Sequence, residues 1–306
     1  MMKHFIITVD TEGDNLWEYV AGTEIGTENA KFLPRFQTLC EKYGFKPVYF
    51  TNYEMASSDY FVEEAKRWLK AGNCEIGVHL HAWNNPPIVE LPARYEGNPY
   101  LIEYSEDVMR QKFDVIYRLL EDRFGEKPTS HRAGRWAMDE RYFKILEDYG
   151  ILVDCSHTPS VDWSHAMGAT MGGSDYSKMP KGSSMIGKVL EVPPTLRKMR
   201  HALSGSLKHR VRTLLLGDSV WLRPAMESCA AMKKCAKVVS KEVETDYLEF
   251  MVHSSEMMPG GSPYFRTEKA IEKMYQDMEQ FFAYVKELGY EGCTLKEYYY
   301  EYKKNL

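Results

Sequence analysis

The chain has 306 residues, of which 44% are hydrophobic and 27% charged, the composition of an ordinary globular protein. A net charge of −5 argues against a dedicated nucleic-acid binder, which would carry a basic excess. No segment approaches the ~20 apolar residues of a membrane-spanning helix, and the length is typical of one α/β barrel.

The first element is the apolar run "HFIITV", which reads as a strand ending at Asp10. It is too short for an export signal, so a cytoplasmic location is expected. A rhythm then repeats. A helical pattern closes on glycine and an apolar, strand-like run follows, as in "LCEKYGFKPVYF", "WLKAGNCEIGVH", "LEDRFGEKPTSH", "ILEDYGILVDCS" and "VKELGYEGCTL". Glycine past a helix end supplies the left-handed cap. The segments 105–124 and 267–288 have amphipathic spacing, the first opened by a Ser with two acids in its first turn. The strands expected in order are "HFIITV", "KPVYF", "EIGVHL", "PTSHR", "ILVDCS", "VLEV", "YLEFMVH" and a short "GCTL".

Strands alternating with helices imply right-handed βαβ units and parallel pairing. Seven or eight such units predict an irregular (β/α) barrel, with an open doubly wound sheet as the alternative. There is no G-x-G-x-x-G after the first strand and no Walker loop, which weakens the nucleotide-binding versions. Residues 160–246 break the rhythm and are expected to form an insertion in a single domain spanning 1–306. That region holds the basic stretch Arg197 to Arg212, read mainly as a solvated helix face, with peripheral membrane contact as the alternative. Six scattered cysteines without a C-x-x-C pair read as reduced thiols.

Chemically capable residues stand after the expected strands. They are Asp10, Glu12 and Asp14; Thr51 and Asn52; His79 and His81; Arg132; Ser156 and His157; and His253 with Ser254, Ser255 and Glu256. In a parallel barrel these ends meet at one face. His79 and His81, two apart on a strand, point the same way. One carboxylate with two imidazoles is a mixed donor set for a divalent cation with open positions. A second carboxylate is then free to act as base, a histidine as acid, and Arg132 to keep the base ionised.

Together these islands resemble the NodB-type polysaccharide deacetylases, carbohydrate esterase family 4. "TVDTEGD" is similar to the first motif, "EIGVHLH" to the second, "HRAGRW" to the third, "VDCSHTPSVDW" loosely to the fourth and "FMVHSSEMMPGGSPY" to the last. The resemblance implies a distorted (β/α)7 barrel and removal of an acetyl group from an N-acetylated sugar. It assigns Asp10 as base, Arg132 as its brace and His253 as acid, with Glu12 and His79 on the metal. The usual second motif is H-x-x-x-H, and here its last place is Trp83, so the second imidazole is His81 or is absent. Asp154 or Asp162 is expected to pair with His253. Zinc is the first choice of metal, with cobalt, nickel or manganese behind it. H-x-H-x-W with H-S-S-E and P-G-G-S-P-Y resembles the branch associated with lipopolysaccharide biosynthesis, which implies a glycan or lipid-linked sugar as partner. Trp83, Trp136 and Tyr264 are candidate sugar-stacking residues. A metal-free glycan-binding protein and an amidase for small non-sugar amides are the alternatives.

Overall fold

The structure, a computed structural model, describes residues 3–20, 22–200 and 207–304. Helices and strands alternate from the start. They are β1 (Lys3–Thr11), α1 (Leu33–Lys42), β2 (Pro47–Thr51), α2 (Tyr53–Ser57), α3 (Asp59–Lys70), β3 (Glu75–Leu80), α4 (Glu106–Phe124), β4 (Ser130–Ala133), α5 (Glu140–Asp148) and β5 (Val153–Asp154). The chain continues through β6 (Ser184–Ile186), β7 (Val189–Glu191), β8 (Leu196–Met199), α6 (Leu207–Leu216), β9 (Asp218–Trp221) and α7 (Cys229–Val239). It closes with β10 (Tyr247–His253), α8 (Glu268–Glu287), β11 (Tyr290–Gly292) and α9 (Leu295–Lys304).

Local chemistry explains the punctuation. Glycines 44, 72, 125, 150 and 289, read from the sequence as helix ends, all take positive φ, between 70° and 81°, which side chains with a Cβ disfavour. Ser105 accepts a hydrogen bond from the Val108 amide to start α4, and Thr267 does the same for Ala270 at α8.

Among the described residues the strands form one curled sheet in the order β10-β1-β2-β3-β4-β5-β7-β6, with β11 beside the start of β1. All neighbours are parallel except β6 on β7. This is the distorted (β/α)7 architecture expected from the strand–helix rhythm. Strand β5 is shorter than "ILVDCS", and the last strand starts at Tyr290, before "GCTL", because Thr294 is already engaged with Glu297 at the start of α9.

The sheet does not close between β7 and β10; the segment between them bridges the gap. The Glu249 amide donates to Thr195 Oγ1 at 2.9 Å, and the Met251 amide to the Leu222 carbonyl at 3.1 Å. Strands β8 and β9 pair as a separate antiparallel ribbon rooted there. They were not anticipated, since each is four residues long and too short for a period to be read.

Two cores follow from strand alternation. Phe5, Ile7 and Val9 face the helices, while Ile6, Val48, Phe50, Val153, Leu190 and Tyr247 fill the barrel floor. Above that floor the inward positions turn polar: first Thr8, Arg132 and Glu249, then Asp10, His79 and His253, then Glu12 and His81 at the mouth. The basic stretch is corrected in part. Arg197 is buried and clamps Glu242 with two nitrogens, so it is no solvated face residue. Residues 201–206 of that stretch lie outside the described residues.

Candidate active site and metal centre

Register brings the key side chains together. Asp10 pairs with His253 across β1 and β10, and His79 with Arg132 across β3 and β4. Asp10, Glu12, His79, His81 and His253 line one cleft of about 290 Å³ with Trp17, Trp83, Asn98, Arg135, Trp136 and Arg223.

Arg132 is fully buried and organises the layer beneath. It donates to Asp10 Oδ1 at 2.6 Å, to Thr8 Oγ1 at 2.9 Å, to Glu249 Oε1 at 2.7 Å and to the Cys155 carbonyl at 3.1 Å. Thr8 in turn donates to Glu249. Burial opposes ionisation of Asp10, but the Arg132 guanidinium, His79 and His253 outweigh it and hold the carboxyl below its ordinary value. Asp10 is therefore an ionised carboxylate with one oxygen braced. Its other oxygen, Oδ2, lies 3.7 Å from His253 Nε2.

Glu12 is pinned through its backbone. Its amide donates to Ser254 Oγ at 3.1 Å, while its carbonyl accepts from Ser254 Oγ at 3.0 Å and from Asn29 Nδ2 at 2.7 Å. Its Oε2 stands 3.3 Å from His79 Nε2 and 2.7 Å from His81 Nε2. His79 Nδ1 donates to the Arg132 carbonyl at 2.9 Å, so the neutral ring would turn its Nε2 lone pair toward Glu12, the tautomer a metal-bound imidazole uses. Without an ion, burial disfavours the protonated ring, but Asp10 and Glu12 outweigh it and favour that form. His81 follows β3 on a loop gripped by Lys112. That buried ammonium donates to the carbonyls of Ala82, Asn85 and Pro87, and burial pulls its pKa down to about 8.

Glu12, His79 and His81 offer three donor atoms within 4.8 Å of one another. Donors on a tetrahedral ion with bonds of ~2.0–2.2 Å stand about 3.3–3.6 Å apart. The His79–Glu12 separation already matches, and the His81–Glu12 contact needs to open by under about 1 Å. The His81 Nδ1 atom is buried without a hydrogen-bond partner. The residues fit a divalent cation. Trp83 packs against His81 with ring centroids 4.3 Å apart.

The expected partner of His253 is corrected. Asp154 instead accepts from His131 Nδ1 at 2.6 Å, because register sets those two residues side by side on β4 and β5. Asp162 caps the Ser164 amide in an exposed turn. The groups at His253 are Arg223 and Glu256: Arg223 Nη2 lies 3.0 Å from His253 Nδ1 and 2.6 Å from Glu256 Oε1. Burial opposes Glu256 ionisation, yet the Arg223 guanidinium first and the neighbouring His253 second draw its pKa down to about 2, and the His253 backbone amide donates to Glu256 Oε2 at 3.1 Å. Trp17 was also missed; its indole donates to Ser255 Oγ at 2.9 Å and its ring lies 4.9 Å from that of His253.

Other sequence candidates sit elsewhere. Tyr264 stands behind Trp17, edge-on at 5.6 Å, and does not line the cleft. Asn52 caps α2, and Thr51 Oγ1 bonds within its own strand. Ser156 Oγ bonds Asp154 and the Ala133 amide, and His157 lines a separate apolar cavity. Asp14 caps the Glu28 amide.

No protein-family model matches the chain, and no curated protein matches it. Among solved structures, a presumed polysaccharide deacetylase from Mycobacterium smegmatis matches with a TM-score of 0.57 at 14% identity, over 100% of this chain and 92% of that one. The fold is the NodB-type distorted barrel. A 4-alpha-glucanotransferase from Thermococcus litoralis matches with a TM-score of 0.54 at 13% identity, over 97% of this chain but 40% of the other. Two different carbohydrate chemistries on one scaffold mean that the side chains of the cleft decide the reaction.

Proposed function

We propose that the chain is a metal-dependent hydrolase that removes the acetyl group from an N-acetylated sugar of a surface polysaccharide or its precursor. The observation that carries this reading is the Glu12–His79–His81 donor set opening onto Asp10 and His253 in one cleft.

A divalent cation held by Glu12, His79 and His81, with zinc the first choice for a mixed nitrogen and oxygen set, supplies Lewis-acid polarisation of an amide carbonyl and of water. Asp10, kept ionised by Arg132, takes the proton from the attacking water through Oδ2. His253, with Nε2 3.7 Å from Asp10 Oδ2, acts as the acid once its ring is doubly protonated: Nε2 delivers a proton to the departing amine, while the Nδ1 proton turns from Arg223 to Glu256 Oε1, 3.6 Å away. Trp83 and Trp136 offer aromatic faces for a sugar ring; Tyr264 serves only as support for Trp17. The six free cysteines, five of them buried, support a reducing compartment, and the cytoplasm is the proposed location. The proposed place in lipopolysaccharide biosynthesis rests on the motif resemblance alone, and the whole chain is proposed to act as one catalytic unit.

The test is acetate release from a panel of N-acetylated hexosamines and oligosaccharides beside N-acetylated small amines, with chelator-stripped and metal-restored protein. Metal-dependent release from sugars is expected. Stoichiometric metal with no release from any substrate would overturn the reading. Release from the amines alone would shift it to an amidase.

A further inference from the structure

Helix α6 presents its apolar side outward. Leu207, Val211, Leu214 and Leu215 recur at i, i+4, i+7 and i+8 and so share one face, and they are 78%, 52%, 54% and 63% exposed. Leu216 at the helix end is 68% exposed. The opposite edge rests on the protein through Thr213, which is 1% exposed. An ordinary surface helix does the reverse, as α4 does by burying Met109, Phe113, Ile116 and Leu120.

Charge frames this face. Lys208 and Arg212 are exposed beside the stripe, and residues 207–216 include no acid. Exposed Lys198 on β8, which pairs with Ser219, and exposed Arg200 just after it, whose side chain approaches Gly217, lie near the C-terminal end of the helix, and Lys234 Nζ donates to the Arg200 carbonyl. We propose that this outward face of α6 docks on an anionic lipid bilayer, lying in the headgroup plane. An apolar stripe rimmed by cations is the pattern of such interfacial helices. A second copy of the chain is the poorer occupant, because antiparallel two-fold pairing of the stripe would set Lys208 and Arg212 of the two copies side by side, and no acid of residues 207–216 is there to offset them. Among the described residues no helix is long and apolar enough to cross a membrane, so the contact is superficial.

The geometry gives the docking a purpose independent of the reaction assigned. Strand β9 follows α6 directly and ends beside Arg223 in the cleft. Seven residues of extended chain span at most ~25 Å, so a bilayer under α6 lies within reach of a headgroup-borne substrate.

The experiment is sedimentation of the full chain with vesicles of phosphatidylcholine alone or mixed with phosphatidylglycerol. Binding is expected only to the anionic vesicles and should weaken with added salt. A Lys208→Glu, Arg212→Glu variant should bind ~25-fold or more weakly, at about fivefold per cation removed. A Leu214→Ser, Leu215→Ser variant should lose sedimentation with an unchanged melting curve, while His253→Ala keeps it. Equal binding to neutral vesicles, or no effect of either double variant, overturns the proposal. So does a concentration-dependent dimer that the Leu214→Ser, Leu215→Ser variant abolishes in sedimentation equilibrium.

Discussion

Arg223 Nη2 stands 3.0 Å from Nδ1 of His253. A guanidinium only donates, so Nδ1 accepts and the imidazole proton sits on Nε2, the atom 3.7 Å from both Asp10 and Glu12. Arg223 thus aims the histidine without reaching the reacting atoms. Replacing it with Gln should lower kcat by ~10–100-fold with little change in KM, on the scale seen for groups that orient a catalytic or ligating residue. Partial recovery in Arg223→Lys would mark positioning through charge and reach. A change confined to KM would refute this role.

Glu256 closes that pair from below and makes acid stability a readout. A carboxyl whose folded pKa is depressed stabilises the fold above its unfolded value, here 4.5, and loses that stabilisation as pH falls toward about 2. The contribution is about 3 kcal/mol. Urea titrations of wild type between pH 5 and 2 should therefore show a steep decline. Glu256→Gln should be less stable at neutral pH by about 3–5 kcal/mol, since Arg223 is left without its counter-charge, but its decline with acid should be shallower.

Asp10 and Arg132 separate chemistry from folding. Asp10→Asn should cut kcat by ~10²–10⁴-fold, the range for loss of a general base, while elemental analysis shows unchanged metal. Arg132→Leu should instead destabilise the protein by about 3–5 kcal/mol, because it strands Asp10 and Glu249 as buried carboxylates. Full activity in Asp10→Asn would rule it out as the base.

Metal content tests the donor set directly. Glu12→Gln, His79→Ala and His81→Ala should each weaken metal binding by ~100-fold or more, since these three are the donors brought together among the described residues. Gly134→Ala is a subtler probe. Its Cβ would lie 2.5 Å from both His81 Nδ1 and the Leu80 carbonyl, so the imidazole must shift. Metal affinity should fall by ~10-fold or more, the scale for a disturbed supporting contact, with some loss of stability because the Leu80 backbone must shift as well. Wild-type affinity in His81→Ala would remove that residue from the set.

Much of this architecture was legible in the chain because its signals are local. The strands "EIGVHL" and "YLEFMVH" run over the predicted residues, and each helix-ending glycine has the left-handed backbone its position demands. What escaped was set by tertiary pairing. Asp154 looked like a partner for His253, but neighbouring-strand register commits it to His131. Arg223, in "WLRPAM", belongs to no motif; only the gap between β7 and β10 explains why it enters the cleft. The close approach of His81 to Glu12 depends on Lys112, thirty-one residues away in sequence.

The bridging segment between β7 and β10 has a bearing on engineering. It resembles an ornament that could be trimmed to leave a minimal barrel, yet it carries the Arg223 guanidinium that contacts His253, the proposed acid. A shortened protein that keeps every motif of the barrel strands would retain Glu12, His79, His81 and Asp10 while His253 loses the contact at Nδ1. Chimeras that exchange this segment need to carry over its return through Leu222 and Arg223, or they graft a new surface onto a cleft that has lost its aim.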